Sequence, residues 1–352
     1  MKIWITGILG FLGSSLAKEL TIHGHDVYGN DSMICSALDP ITVTRECKND
    51  TTCIRLGDCR DFDLMKKWLS PAIDPPEIKA DVLIHCAATA HEGLSNFSPS
   101  FITRNIYEAS VATFSAAIAS GIKRIIFMSS MARYGCSPTI PFLEDIHTPS
   151  PVDPYGIAKV AAEQTLIALC KLHNIEYVIA VPHNIIGPRQ NYRDPYRNVA
   201  SIMIHRALLN KPILIYGDGE QKRCFSPIVD CMDSLIKMID APISGEIINI
   251  GPDKGQITIN ELARKIINFT SSCAGIKHIP ERPNEVKEAW CSSDKARNLL
   301  GFREKQSLDD CLKEMVLYIK NQLEIIKETD FQYSFPIEIE KGCPGTWMNK
   351  TI

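Results

Sequence analysis

The stretch KIWITGILGFLGSSLAKELTIHG, residues 2–24, decides how the rest of the chain is read. Residues 2–6 are a short apolar run of strand character, and 11–23 carry the spacing of an amphipathic helix. Between them Gly7, Gly10 and Gly13 recur at every third position. A tight turn, close approach of backbone to a pyrophosphate, and close packing of helix on strand each need a residue without a side chain. The same residues also pass for a secretory leader, with Lys2, an apolar run, and the small Ser15 and Ala17. The glycine interval favours strand, turn and helix instead. The next strand candidate, 26–30, ends beside Asp31, 18 residues after Gly13. A carboxylate there accepts hydrogen bonds from adenosine ribose hydroxyls and repels a 2′-phosphate, so the expected cofactor is NAD rather than NADP. Asp58, after the third strand candidate, is placed to accept from the adenine amino group or to cap its own turn.

Working outward, apolar strand candidates at 2–6, 26–30, 53–56, 82–85, 124–128 and 176–181 alternate with helix candidates at 11–23, 62–69, 101–120 and 154–173. Strand and helix in alternation imply an α/β fold, a doubly wound parallel sheet of Rossmann type. Beyond Pro182 prolines punctuate shorter segments, with helix candidates at 199–209, 260–269 and 307–327. The expected organisation is a cofactor-binding domain over 1–182, to which later segments return, and a smaller substrate lobe over 183–329. The tail, 330–352, holds Phe331, Tyr333, Phe335 and Trp347 and has no role that the sequence shows.

The 352 residues are 45% apolar and 22% charged, which suits a globular protein with a sizeable core. With 38 basic and 41 acidic residues the net charge is −3, so no global positive field gathers nucleic acid or an anionic membrane. No apolar run approaches the ~20 residues of a membrane span. Thirteen cysteines is an odd number without a CxxC pair. Cys47, Cys53 and Cys59, spaced by six, lie in a polar stretch without a clustered histidine, so reduced thiols, a cytoplasmic setting and no metal site are expected.

Tyr155 and Lys159, in PYGIAKVAAE, sit four apart on one helical face. An ammonium beside a phenol favours the phenolate and suits it to act as a base near neutral pH. Ser129 and Ser130, in MSSMARYG, close the strand candidate at 124–128, on the edge where open α/β sheets hold their ligands. Together TGILGFLG, Asp31, the HCAA of 85–88, MSSMARYG and YGIAK resemble the extended short-chain dehydrogenase/reductase family, in particular its nucleotide-sugar epimerases and dehydratases.

The resemblance implies Ser130 as the hydroxyl that orients a sugar oxygen beside Tyr155, with Ser129 as its strand-end neighbour, and Lys159 also holding the nicotinamide ribose. Gly7, Gly10, Phe11, Leu12, Gly13, Asp31, Asp58 and Ala87 would line the cofactor. His85 packs near the strand end. In the second lobe Asn184, Asn198, Arg223 and Arg282 would face a nucleotide-diphosphate sugar. Each guanidinium is suited to bidentate binding of phosphate oxygens. GDGEQKRCFSPIVD keeps Arg223 and Asp230 of the family's pattern but departs from it at Cys224, Ser226 and Pro227.

Dehydratases in this family carry an Asp-Glu pair after the catalytic hydroxyl, and related decarboxylases an acid at the second of those positions. Here they are Met131 and Ala132, which transfer no proton, so 4-epimerisation through a 4-keto sugar is the implied reaction. UDP-N-acetylglucosamine/galactosamine or UDP-glucose/galactose are the implied substrates. An NAD(P)-dependent 4-keto-sugar reductase with the same triad, a dehydratase, and an NAD-binding protein without chemistry are the alternatives. Ala289, seven residues after Arg282, would leave room for a 2-acetamido group, and AHEGLSNF (90–97) would border the sugar. The family's dimers pair two helices per subunit, here 101–120 and 154–173. Phe101, Ile102, Phe114, Leu166, Leu169 and Leu172 are the expected contacts of such a homodimer.

Overall fold

The computed structural model describes residues 1–36, 38–47, 52–70, 79–137, 139–283, 285–327 and 329–352. Among them seven strands form one parallel sheet: β1 (Lys2–Thr6), β2 (Asp26–Asp31), β3 (Cys53–Leu56), β4 (Val82–His85), β5 (Arg124–Met128), β6 (Glu176–Pro182) and β7 (Glu246–Ile250). Their order is β7-β6-β5-β4-β1-β2-β3, the doubly wound arrangement. The helices are α1 (Phe11–Ile22), α2 (Pro40–Cys47), α3 (Phe62–Leu69), α4 (Glu92–Ser95), α5 (Pro99–Thr103), α6 (Ala109–Ala119), α7 (Pro154–His173), α8 (Val199–Leu208), α9 (Ile228–Lys237), α10 (Ile259–Thr270), α11 (Asp294–Leu300) and α12 (Leu308–Ile326).

Each strand sends alternate side chains to opposite faces, so an apolar run feeds two cores. Ile3, Ile5, Ile84, Ile126 and Val178 meet Leu16 and Leu20 of α1, Leu235 of α9 and Leu300 of α11. Trp4, Leu83, Ile125, Phe127 and Ile179 meet Met65 and Leu69 of α3, Phe114 of α6 and Leu166 of α7. The expected helix over 101–120 is interrupted: a π turn at Arg104–Glu108 separates α5 from α6. Ile106 in that turn joins the buried cluster around Tyr155, and such turns concentrate at functional sites.

The chain after Pro182 does not stay in one lobe. α9 and α11 cover the sheet, and β7 extends it beside β6. A second lobe keeps its own core, where Met203 and Ile204 of α8, Leu262 and Ile266 of α10, and Leu312 and Met315 of α12 surround Ile213 and Ile215. The tail is part of the fold. Phe331 and Trp347 pack with Leu94, Phe97 and Tyr196, Glu338 accepts from the amides of Ser100 and Phe101 at 2.9 and 2.8 Å, and Tyr216 meets Thr346 at 2.6 Å.

Of the six apolar residues expected at a dimer contact, Ile102, Phe114 and Leu166 are fully buried inside the subunit. They are spent on its own core, because α5, α6 and α7 pack on one another and on the sheet. Leu172 is exposed, as is Ile157 on the same helix.

Trp347, 3% exposed, tests the tail's place in the fold. Trp347→Ala is expected to cost roughly 3–5 kcal/mol in urea unfolding, the penalty of emptying a large core site. An unchanged midpoint would show that the tail contributes nothing to the core.

Candidate active site

At the C-terminal ends of β1 and β4 the chain leaves for opposite faces of the sheet, and a cavity of about 450 Å³ opens there. Gly7, Gly10, Phe11, Leu12, Gly13, Asp31, Asp58 and Ala87 line it at the sheet end. Gly7 has φ +69°, and a Cβ there would fall 2.9 Å from the Ala87 backbone. A Cβ on Gly13 would fall 2.1 Å from the Gly7 carbonyl oxygen. Only glycine fits this cradle, and it opens at the N-terminus of α1, where amides favour a pyrophosphate. Asp31 is 7% exposed and accepts from Leu9 N at 3.0 Å, Met33 N at 2.8 Å and Ser36 Oγ at 2.7 Å. One carboxylate thus braces the glycine loop and the turn after β2, and its Oδ2 keeps one lone pair free of these bonds. Asp58 is engaged by Arg60, whose amide meets Oδ1 at 2.9 Å and whose guanidinium meets Oδ2 at 2.5 Å.

Deeper in, Ser129, Ser130, Tyr155 and Lys159 line the same cavity. α7 begins at Pro154 behind Asp153, whose carboxylate caps it by accepting from Gly156 N at 2.9 Å. Tyr155 and Lys159 therefore stand on its first two turns. Lys159 is buried and donates to the Met128 carbonyl at 2.7 Å, with its ammonium 4.9 Å from the Phe127 ring centroid. Burial pulls this lysine down to about 8, against the opposing pull of Cys86 and Glu163.

The lowered phenol pKa expected from Lys159 is not a property of the fold alone. Burial pushes Tyr155 up to about 12, the carboxylates of Glu92 and Asp153 push the same way, and the Ser130 hydroxyl and Arg197 pull back. Ser129 differs from Ser130: it donates to Glu163, which also holds Arg133 at 2.9 Å in a fully enclosed ion pair. Its role is to fasten the turn, and that fixes Ser130 beside the phenol. His85 bonds Thr6 Oγ1 at 2.7 Å and Ser110 Oγ at 3.0 Å, and burial drives its pKa down to about 3, so it stays neutral.

Asn184, Asn198, Arg223 and Arg282, expected to face a substrate, line the cavity as well. Asn184 has φ +43° and donates to the Cys224 carbonyl at 3.0 Å, while Asn198 caps α8 through Ala200 N at 2.9 Å. The two arginines converge as expected, and the sequence reading missed the group between them. Arg282 pairs with Glu285 at 2.7 Å and Arg223 with the same carboxylate at 3.4 Å. Two guanidiniums against one carboxylate leave the spot net positive. Asp230 instead holds the amides of Lys305 and Gln306 at 2.8 and 3.1 Å, a brace outside the cavity. Cys224 and Ser226, the departures from pattern, are buried and bond the carbonyls of Lys254 and His183.

Ala289 does not line the cavity. It lies on a two-residue strand, Glu288–Ala289, paired in parallel with Lys222–Arg223, and its methyl is buried with Tyr134, Phe142 and Cys291. Counting from Arg282 set the spacing but not the direction of the side chain, which in a strand alternates with each residue. The basis for expecting a 2-acetamido group is thereby removed. Two more charged lining groups, beyond Glu285, went unnoticed in the sequence. Arg197 faces Asp194 at 3.8 Å, a carboxylate also bonded to the enclosed His91 at 2.7 Å. Glu92 stands in AHEGLSNF, noted only as a segment, with no spacing signal of its own.

A profile of the NAD dependent epimerase/dehydratase family matches residues 3–251. The chain belongs to that family. The UDP-N-acetyl-alpha-D-glucosaminuronate decarboxylase of Bacillus cytotoxicus is 30% identical to it over 338 residues, covering 90% of this chain and 97% of that one. Among solved structures, the UDP-N-acetylglucosamine 4-epimerase of Methanobrevibacter ruminantium, in complex with UDP-N-acetylmuramic acid, superposes with a TM-score of 0.80 at 28% identity, over 91% of this chain and 98% of that one. The UDP-glucuronic acid 4-epimerase of Bacillus cereus, bound to UDP-glucuronic acid and NAD, gives 0.80 at 27% identity, over 92% and 100%. The protein is an NAD-dependent enzyme of the nucleotide-sugar epimerase, decarboxylase and dehydratase group, and the glycine cradle, Asp31 and Lys159 fit that cofactor. Among the described residues no helix is long and apolar enough to cross a membrane, and no three metal-ligating side chains converge.

Asp31→Ala is expected to weaken NAD by about tenfold while affecting NADP less, since it removes hydrogen-bond acceptors from one cofactor and a repelling charge from the other. Titration of both dinucleotides checks this, and tighter NADP than NAD binding by the unmodified protein would contradict the role of Asp31.

Proposed function

We propose that this protein interconverts a UDP-hexose and its 4-epimer through a 4-keto sugar, retaining NAD throughout. The observation that carries the reading is the sharing of one cavity by Tyr155, Ser130 and Lys159 with Arg223 and Arg282, while Met131 and Ala132 offer no proton-transfer group. Arg223 and Arg282 hold the diphosphate, and Asn184 approaches it. This leaves the sugar's carbon 4 at Ser130 and Tyr155. Ser130 orients the hydroxyl. Tyr155 takes its proton in the oxidising half and returns it in the reducing half. Lys159, anchored on the Met128 carbonyl, holds the nicotinamide ribose and steadies the phenolate. Bound NAD supplies the hydride acceptor and, in its oxidised form, a positive charge that favours the phenolate. Epimerisation needs the ketone to turn over between the two hydride transfers and no further acid or base at carbons 5 and 6. Exposed Leu172 and Ile157 on α7 support pairing of two copies in solution, and sedimentation at micromolar concentration is expected to give a dimer.

Incubation with a panel of UDP, dTDP, GDP and CDP sugars, followed by NMR, is expected to yield the 4-epimer of a UDP-hexose with no loss of water or carbon dioxide. Freshly purified protein is expected to release stoichiometric NAD on denaturation. A 4-keto-sugar reductase would instead need external reduced cofactor at each cycle. Tyr155→Phe preserves packing and deletes the proton acceptor, so turnover should fall by about two to four decades with NAD still bound. Undiminished turnover in that variant would place the proton transfer on another residue.

A further inference from the structure

The cavity contains a carboxylate that the catalytic scheme does not use. Glu92 lines the cavity and is exposed there. Among the described residues its carboxylate has no hydrogen bond or ion pair. It stands on α4, and both ends of that helix are located. Gly93 lies against the diphosphate arginines, since a Cβ there would fall 3.3 Å from the Arg282 guanidinium. Ser95 bonds Asp153 at 3.3 Å, two residues before Tyr155. Glu92 therefore flanks the interval between the phosphate-binding arginines and the phenol. Its electrostatic neighbours are drawn from both ends: Asp153 towards the phenol, and Arg223, Glu285 and Arg282 towards the phosphates. A hexose fixed at carbon 1 by its diphosphate and at carbon 4 by Ser130 and Tyr155 has to span this interval.

We infer that Glu92 is the specificity-determining residue of the sugar pocket, accepting hydrogen bonds from ring hydroxyl or amino groups and excluding sugars that carry a carboxylate. The inference rests on the reading of the site as a UDP-hexose 4-epimerase and narrows its substrate to neutral or amino-bearing hexoses. Two anions in one enclosed pocket repel, whereas an unpartnered carboxylate gains from any donor a sugar brings. The other lining cations are committed: Arg197 faces Asp194, Lys159 is held by the Met128 carbonyl, and the charge that Arg223 and Arg282 carry beyond their shared Glu285 goes to the diphosphate. None is left over for a uronate. Solved relatives include an enzyme crystallised with UDP-glucuronic acid, so the fold itself does not forbid an acidic sugar.

The test uses the full chain with its NAD and measures binding of UDP-glucose, UDP-N-acetylglucosamine and UDP-glucuronic acid by calorimetry. The unmodified protein is expected to bind a neutral sugar at least about tenfold more tightly than UDP-glucuronic acid, a ratio that one like-charge contact across the cavity supplies. Glu92→Gln keeps the shape and removes the charge, and should bring the ratio to within about threefold of unity, while Glu92→Asp should keep the preference. NAD content reports whether each variant is folded. Equal binding of neutral and acidic sugars by the unmodified protein, or an unchanged ratio in a folded Glu92→Gln, would overturn the role of Glu92. If neutral UDP-sugars bind and epimerise in those cases, the epimerase reading survives without it. Failure of every UDP-sugar to bind overturns both.

Discussion

Thr6 and His85 are opposed on neighbouring parallel strands, and the chain of hydrogen bonds through them joins the two halves of the sheet where its winding reverses. The Thr6 hydroxyl bonds the imidazole at 2.7 Å and accepts from Ala87 N at 3.3 Å, and the other ring nitrogen reaches Ser110 on α6. Because burial keeps His85 neutral, one nitrogen donates and the other accepts, and the chain never acquires a charge that the core would have to solvate. From this point α1 departs to one face and α4 to α6 to the other. The opening between them is the cavity. The glycine loop, α4 and α7 all take their position from that divergence.

A second constraint acts on the catalytic side. Arg133 and Glu163 are each about 3% exposed and pair at 2.9 Å, with Ser129 completing the carboxylate's shell. An enclosed pair of this kind adds little net stability but is costly to break, because the surviving charge is left without water. It ties the turn after β5 to the middle of α7, and so sets the distance between Ser130 and Tyr155. The phenol's own environment opposes ionisation. What the fold contributes to Tyr155 is position, and the remaining bias towards phenolate must come with the ligands.

The sheet was legible in the sequence because strands buried on both faces are short continuous apolar runs, and all of the first six end within one residue of their expected limits or on them. β7 was not. Its residues, EIINI, are a polar-edged five-residue segment embedded in what reads as another lobe. α9 was overlooked for a related reason: residues 226–230 were read as the end of a motif, although Ile228, Cys231, Met232 and Leu235 have helical spacing and bury one face. In the site, glycines, Tyr155, Lys159 and Ser130 announce themselves by order and spacing. Glu92 and Glu285 do not, since a lone carboxylate in a loop or after an arginine looks like any surface acid until the fold encloses it. Ala289 shows the converse, a position found by counting whose side chain turns inward to the core.

The place of β7 also bears on how the chain reaches this structure. Its partner β6 ends at Pro182, and the strand that completes the sheet is not reached until Glu246, after the chain has built α8 and α9. An edge that stays open during synthesis presents unpaired amides and carbonyls to any neighbouring strand. Closing it requires a long loop to be ordered first, which slows folding. The segment up to Pro182 is therefore not an independent folding unit: a fragment stopping there would lack its seventh strand and the α9 and α11 cover of one face. The first half of the sheet inherits part of its stability from chain that lies beyond Pro182.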